Sequence, residues 1–174
     1  MATLVAGVDC STQGTKVLVV DVQDGRTVAR GHAPHEVHGI EGARLSDPRG
    51  WWAALADALA QTGRAGELSA IAVAGQQHGL VVLDAHGQPL RDAPLWNDTT
   101  SAADAAALVE DLGGPDAWAA RVGSVPVPSF TVTKWAHLRR TAPELAAAAA
   151  AVRLPHDYLT ERLSGRAVSD RGDT

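Results

Sequence analysis

Leu4-Val5-Ala6-Gly7-Val8-Asp9-Cys10-Ser11-Thr12-Gln13-Gly14-Thr15-Lys16-Val17-Leu18-Val19-Val20-Asp21-Val22 is the stretch that decides the fold. A short apolar run, Leu4–Asp9, ends at a carboxylate. Small polar residues turn the chain back, and Val17–Val22 is β-branched. Asp24-Gly25 is a strong hairpin signal, and a third strand follows within Arg26–Pro34, centred on Thr27-Val28-Ala29. The chain therefore opens as a three-strand antiparallel meander rather than as strand and helix. The turn between the first two strands has chemical potential. Backbone N–H groups in a tight turn can form an anion nest, and Thr12 and Gln13 can add side-chain donors. Asp9 cannot hold a phosphate, but it can hold a metal ion or its water. The motif is no Walker-A loop, because a strand follows it instead of a helix. An ordinary polar hairpin accounts for the same residues.

Working outward, Asp47-Pro48 starts a helix that runs to about Thr62, with Trp52, Leu55, Ala56 and Leu59 on one face and Gly63 as its stop. Trp51 and Trp52 both read as core. Leu68–Ala74 reads as a buried strand, and Leu80–Leu83 with the turn Ala85-His86-Gly87-Gln88 as another hairpin. Thr100–Leu112 is a helix that Gly113-Gly114-Pro115 ends. Phe130–Thr141 and Pro143–Ala151 are helices separated by Pro143. Val152–Leu154 is a short strand, and Asp157–Leu163 is a helix closed by Gly165. Three antiparallel strands, then alternating helices and strands, predict an α/β fold of the ribonuclease-H-like, actin/hexokinase-type ATPase class.

The 174 residues suit one domain with a real core. Net charge is −5, with no basic patch to suit nucleic acid. One cysteine, Cys10, excludes a disulfide scaffold and reads as a small buried hydrophobe. Residues 1–8 lack the features of a signal peptide, and no apolar run is long enough to span a bilayer, so a cytoplasmic protein is expected. The polar end, 169–174, reads as a chain cut in mid-loop, and its Arg171-Gly172-Asp173 as a chance match to an adhesion signal.

Two further motifs carry chemistry. Gly75-Gln76-Gln77-His78-Gly79 stands at the carboxyl end of a strand, where open α/β sheets bind ligands. Two amides and an imidazole suit hydroxyl groups, whereas a plain polar bend needs no ligand. Leu95-Trp96-Asn97-Asp98 sets an indole beside an amide and a carboxylate, a platform for a sugar, although Trp96 as core and Asp98 as a cap fit equally. His32, His35 and His38 do not converge well enough for a metal site. Lys134, at the start of the exposed side of its helix, reads as solvated.

Together these segments resemble the FGGY family of carbohydrate kinases. Gly7–Lys16 resembles its phosphate hairpin and Ile71–Gly79 its substrate strand. Pro94–Asp98, Phe130–Trp135 and Leu154–Leu159 follow in family order. The resemblance implies that 1–174 is an incomplete N-terminal kinase domain, with the rest of that domain, the general base and the ATP-binding domain beyond it, and so with no useful activity alone. It implies phosphorylation of D-xylulose to xylulose 5-phosphate with ATP and Mg2+ as cofactors. Asp9 would place the metal and phosphates. Ser11, Thr12, Gln13 and Lys16 would line the phosphate hairpin. Gln77 and His78 would hold the ketose hydroxyls, with Trp96 and Asp98 beside them. Glycerol kinases carry Arg-Glu at the Gln77-His78 pair, which disfavours glycerol. Another sugar or polyol as acceptor (ribulose, fuculose, gluconate, glycerol) and a non-catalytic actin-like nucleotide-binding module are the alternatives. Ser11 stands where the family usually has Gly, and Gln77 where it often has Met. The expected partner is the sugar, without nucleic acid or membrane, and homodimerisation is left open.

Overall fold

The structure is a computed structural model that describes residues 3–170 and 172. Arg171, Asp173 and Thr174 of the polar end lie outside the described residues, as do Met1 and Ala2 of the opening segment. In chain order the elements are β1 (Leu4–Cys10), β2 (Gly14–Asp21), β3 (Thr27–Pro34), β4 (Leu45–Ser46), α1 (Pro48–Gln61), a 3-10 turn (Ala65–Glu67), β5 (Leu68–Gly75), β6 (Val81–Leu83), β7 (Ala93–Pro94), α2 (Ala102–Asp111), α3 (Pro115–Val122), α4 (Thr131–Thr141), α5 (Pro143–Ala148), β8 (Ala151–Arg153) and α6 (Pro155–Ser164). They divide into two compact units, one of residues 1–37, 46–77 and 155–174, the other of 38–45 and 78–154.

The first unit is a sheet of order β3-β2-β1-β5. β1–β2 and β2–β3 are antiparallel, while β5 runs parallel to β1, pairing Cys10 with Gly75. This is the ribonuclease-H-like arrangement. The hairpin signal is realised: Gly25 takes φ +72° and its N–H donates to Asp21 O. Period-two alternation buries Leu4, Ala6, Val8 and Cys10 on one face of β1 and leaves Gly7 and Asp9 exposed on the other. α1 packs against β2 and β3, and α6 against β5. Asp47 caps α1 by accepting from Arg49 N–H at 2.9 Å.

Four expectations are corrected. The buried face of α1 is Trp51, Ala54, Leu55 and Ala58; Ala56 is exposed, and Leu59 and Trp52 are half-buried. Trp51 is selected because its indole N–H finds Ser46 Oγ at 2.8 Å, which in turn donates to Glu36 O. Trp52 instead carries the Arg162 guanidinium 4.9 Å over its ring. β5 is not buried: its residues alternate between half-buried and exposed, since among the described residues it has one neighbouring strand. α5 stops at Ala148, because Ala151 is taken into β8 by antiparallel pairing with Leu83 of β6. Gly113-Gly114-Pro115 ends α2 but also starts α3, with Pro115 at the first helical position.

In the second unit, β6 and β8 form a two-stranded sheet, and β6 turns through Asp84–Gln88 as a hairpin in which Leu90 N–H donates to Val82 O. Leu80, Val82 and Leu138 form its core, with Leu90, Trp135, Leu145 and Ala146 against it. α2 and α4 are joined by Asp104. Arg140 Nε donates to its Oδ1 at 2.7 Å, and His137 Nδ1 lies 2.8 Å from Oδ2. Arg140, opposed by burial and aided by His137, brings this carboxyl from about 3.8 down to about 2. A depressed carboxylate stabilises above its ordinary range and loses that contribution as pH falls toward its folded value. Asp104→Asn is therefore expected to cost about 1 kcal/mol at pH 7, discounted for the exposed Arg140 side chain. The melting temperatures of the two proteins should converge between pH 4 and pH 2 in scanning calorimetry.

Candidate active site

The hairpin between β1 and β2 is a short turn. Ser11 N–H and Ser11 Oγ both donate to Gly14 O at 3.0 Å, and Cys10 pairs with Thr15. The turn is fastened from two sides. His35 N–H donates to Gln13 O at 3.2 Å, and Gln76 donates through its backbone to Cys10 O at 3.2 Å and through Nε2 to Ser11 O at 3.4 Å. Asp9 and Lys16 face each other across the ladder with 3.9 Å between Nζ and Oδ2, both half or more exposed. Gln13 is exposed, and Ser11 and Thr12 are half-buried. All five predicted phosphate-side residues thus lie on the β1–β2 hairpin. Beneath them Cys10 is fully buried, its Sγ 3.8 Å from His35 Nε2, and burial pushes its thiol up to about 11.

Two further residues border the turn: Gln76, one of the two amides read from the sequence as suited to hydroxyl groups, and His156. Gln76 is buried, and its Oε1 has no hydrogen-bond partner, an acceptor held away from bulk water. His156, at the start of α6, sits with Nδ1 3.5 Å from Gln76 O and Nε2 3.2 Å from Asp157 Oδ1. A Cβ at Gly75 would lie 3.1 Å from His156 Cβ, a tight contact between β5 and the start of α6. Gln77, at the end of this unit, is exposed.

The second unit holds His78, Trp96 and Asp98. His78 adopts φ +63°, which a non-glycine residue seldom accepts, and its imidazole stacks on Phe130 at 4.8 Å between centroids. Trp96 is 48% exposed rather than in the core. The neighbouring Asn97 Oδ1 is buried without a partner. Asp98 is buried and fully engaged: Oδ2 accepts from Arg44 N–H at 2.8 Å and Oδ1 from Thr100 N–H at 3.0 Å. It holds the turn that presents Trp96.

Asp98 also lines a pocket of about 140 Å³ with Leu45, Leu80, Arg91, Lys134 and His137. The solvated reading of Lys134 is corrected there. Its side chain is 2% exposed and its ammonium donates to Pro128 O and Ser129 O. Burial brings its pKa down to about 8, against the pull of Asp98. Nothing in the local sequence announces this, because both acceptors are main-chain carbonyls.

A magnesium–ATP complex suits this donor set. Mg2+ commonly takes one or two carboxylates, the substrate phosphates and water, and Asp9 offers one exposed carboxylate beside the turn. Among the described residues no group of three or more His, Cys, Asp or Glu could hold a metal by itself. No helix among them is long and apolar enough to cross a membrane.

Comparison with known proteins shows the family of the chain. The model of the FGGY family of carbohydrate kinases, N-terminal domain, matches residues 4–174. A xylulose kinase from Streptomyces coelicolor is 61% identical over 171 residues, covering 98% of this chain and 35% of that protein. One from Streptomyces rubiginosus is 60% identical over 171 residues, again 98% of this chain and 35% of the relative. The crystal structure of xylulose kinase from Bifidobacterium adolescentis superposes with a TM-score of 0.88 at 44% identity, covering 98% of this chain and 36% of that one. The chain spans about a third of the length of the curated relatives it matches.

Proposed function

The chain belongs to the FGGY family of carbohydrate kinases, and from that premise we propose that its protein transfers the terminal phosphoryl group of ATP to D-xylulose, giving xylulose 5-phosphate. The observation that carries this reading is 61% identity over 171 residues to a relative named xylulose kinase. The site residues support it in kind. Thr12 and Gln13 would bind phosphate oxygens at the β1–β2 turn, which Ser11 shapes through its N–H and hydroxyl, both donating to Gly14 O. Lys16 would add a positive charge beside them. Asp9 would hold Mg2+ directly or through water, and the bound metal would neutralise charge on the phosphates. On the sugar side, Gln77 would orient the ketose by its amide, and His78 would donate to or accept from a hydroxyl. Trp96 would offer an apolar face, held in place by the Asp98 turn. Phosphoryl transfer depends on such positioning more than on covalent chemistry by the protein. We place the enzyme in the cytoplasm and read 1–174 as part of its N-terminal domain.

The test is sugar-dependent ADP release by the native protein across D-xylulose, ribulose, fuculose, gluconate and glycerol. The highest kcat/KM is expected with D-xylulose. His78→Ala should raise its KM about tenfold or more, the scale of one lost pocket contact. A higher kcat/KM for another acceptor would overturn the assignment of the sugar, and binding of ATP without any sugar turnover would favour a nucleotide-binding module instead.

A further inference from the structure

We infer that Lys134 is a positioning residue for the sugar site: its buried ammonium fixes the turn before α4 so that the Phe130 ring backs the His78 imidazole. The inference rests on the reading of His78 as a sugar ligand.

The argument begins with main-chain carbonyls. Pro128 and Ser129 precede α4, so neither carbonyl belongs to the ladder of a helix, and each needs a donor where it is buried. Lys134, one turn into α4, supplies both: Nζ donates to Pro128 O at 2.8 Å and to Ser129 O. Ser101 Oγ donates to Pro128 O at 3.0 Å, and Thr133 Oγ1 lies 2.8 Å from Phe130 O. Lys134 is 2% exposed and Ser101 and Thr133 are 0% exposed, so the donors of this network are shielded from water. An apolar side chain of similar volume would fill this space at lower desolvation cost. What it could not do is hold two successive peptide carbonyls in one orientation.

Those carbonyls determine where Phe130 stands. Its ring lies 4.8 Å from the His78 ring at an interplanar angle of 29°, a stacked arrangement. His78 needs such support. Its φ of +63° is strained for a residue with a Cβ, and strain of this kind persists where the surroundings over-determine it. Thr131 Oγ1 adds a long hydrogen bond to Gly79 O at 3.4 Å, so the residues after His78 also dock on the start of α4. The Lys134 ammonium is spent on the Pro128 and Ser129 carbonyls rather than on His78. It acts through the turn and the Phe130 ring.

The test combines NMR of the His78 ring with steady-state kinetics on the native protein and its Lys134→Met variant. Loss of the clamp is expected to release the His78 ring protons from the Phe130 ring current, moving them downfield. The KM for D-xylulose should rise about tenfold while kcat changes less than about threefold. Lys134→Gln keeps an amide NH2 donor on a shorter, uncharged side chain and is expected to give the same changes at smaller size, which covers the case in which the methionine variant fails to fold. Unchanged His78 resonances and unchanged KM in a folded Lys134 variant would overturn the inference. If His78→Ala raises KM while the Lys134 variants do not, the clamp alone fails and the sugar reading stands. If His78→Ala leaves KM unchanged, the sugar reading itself fails and takes the inference with it, whatever the ring shift shows.

Discussion

Asp9→Asn is expected to remove about 99% or more of turnover while leaving the fold intact, in line with the loss of one preorganised charge at a transferring phosphoryl group. The two halves of this expectation come from different properties of one side chain. Asp9 stands on the exposed face of β1, and its ion pair with Lys16 spans 3.9 Å between half-exposed groups. Such pairs contribute about 0–1 kcal/mol, so the melting temperature should move little. In the kinase reading the same carboxylate is the acidic group at the phosphate turn. Asparagine keeps the shape and removes the charge. A hundredfold loss in kcat corresponds to about 2.7 kcal/mol of transition-state stabilisation. Stopped-time ADP release at saturating ATP and sugar, with calorimetry on the same samples, measures both halves. An asparagine variant with native kcat would remove Asp9 from the chemistry.

Gly31→Ala is expected to have the largest effect on stability. A Cβ at position 31 of β3 would lie 1.7 Å from Ala58 O and 2.7 Å from Ala58 C, both backbone atoms of α1. No rotamer change can clear a main-chain carbonyl, so the strand and helix must separate. Ala58 is fully buried in the contact that seats α1 on the sheet. Overpacking of a core costs about 1–3 kcal/mol and occasionally more, and a backbone clash belongs at the upper end. Against a typical stability of about 5–15 kcal/mol, that loss is large. Urea denaturation should show a midpoint shifted down by about 1 M or more. Gly7→Ala is the control: no atom lies within 4 Å of its added Cβ. Equal midpoints for native protein and Gly31→Ala would contradict the close approach.

The meander was legible because its signals are local. Alternation in Leu4–Cys10, the β-branched run after Lys16 and the Asp24-Gly25 turn need no tertiary information. The cap at Asp47 is local in the same way. The face of α1 was not legible, because Trp51 and Trp52 are equally apolar and only the Ser46 hydroxyl, paired to Trp51, separates them. β5 misled for a related reason: small and apolar residues on both faces announce a strand made to be covered, whereas burial depends on what lies alongside. Of the site, the sequence grouped Asp9, Ser11, Thr12, Gln13 and Lys16 on one turn. It did not show that Asp98 spends both oxygens on the Arg44 and Thr100 main chain, nor that Lys134 is enclosed, because those partners are backbone groups. Backbone partners leave no trace in residue type.

Cys10 is the only cysteine of the chain, fully buried between strands and with its thiol held up near 11. A thiol in that state is inert to electrophiles and oxidants at neutral pH. Its modification must wait until β1 parts from its neighbours. The rate of alkylation therefore times the opening of the sheet beneath the phosphate turn, a clock written into the protein without any added label. A ligand that grips the turn would slow that clock in proportion to its occupancy, so thiol chemistry can report engagement of the turn even when no phosphoryl group moves.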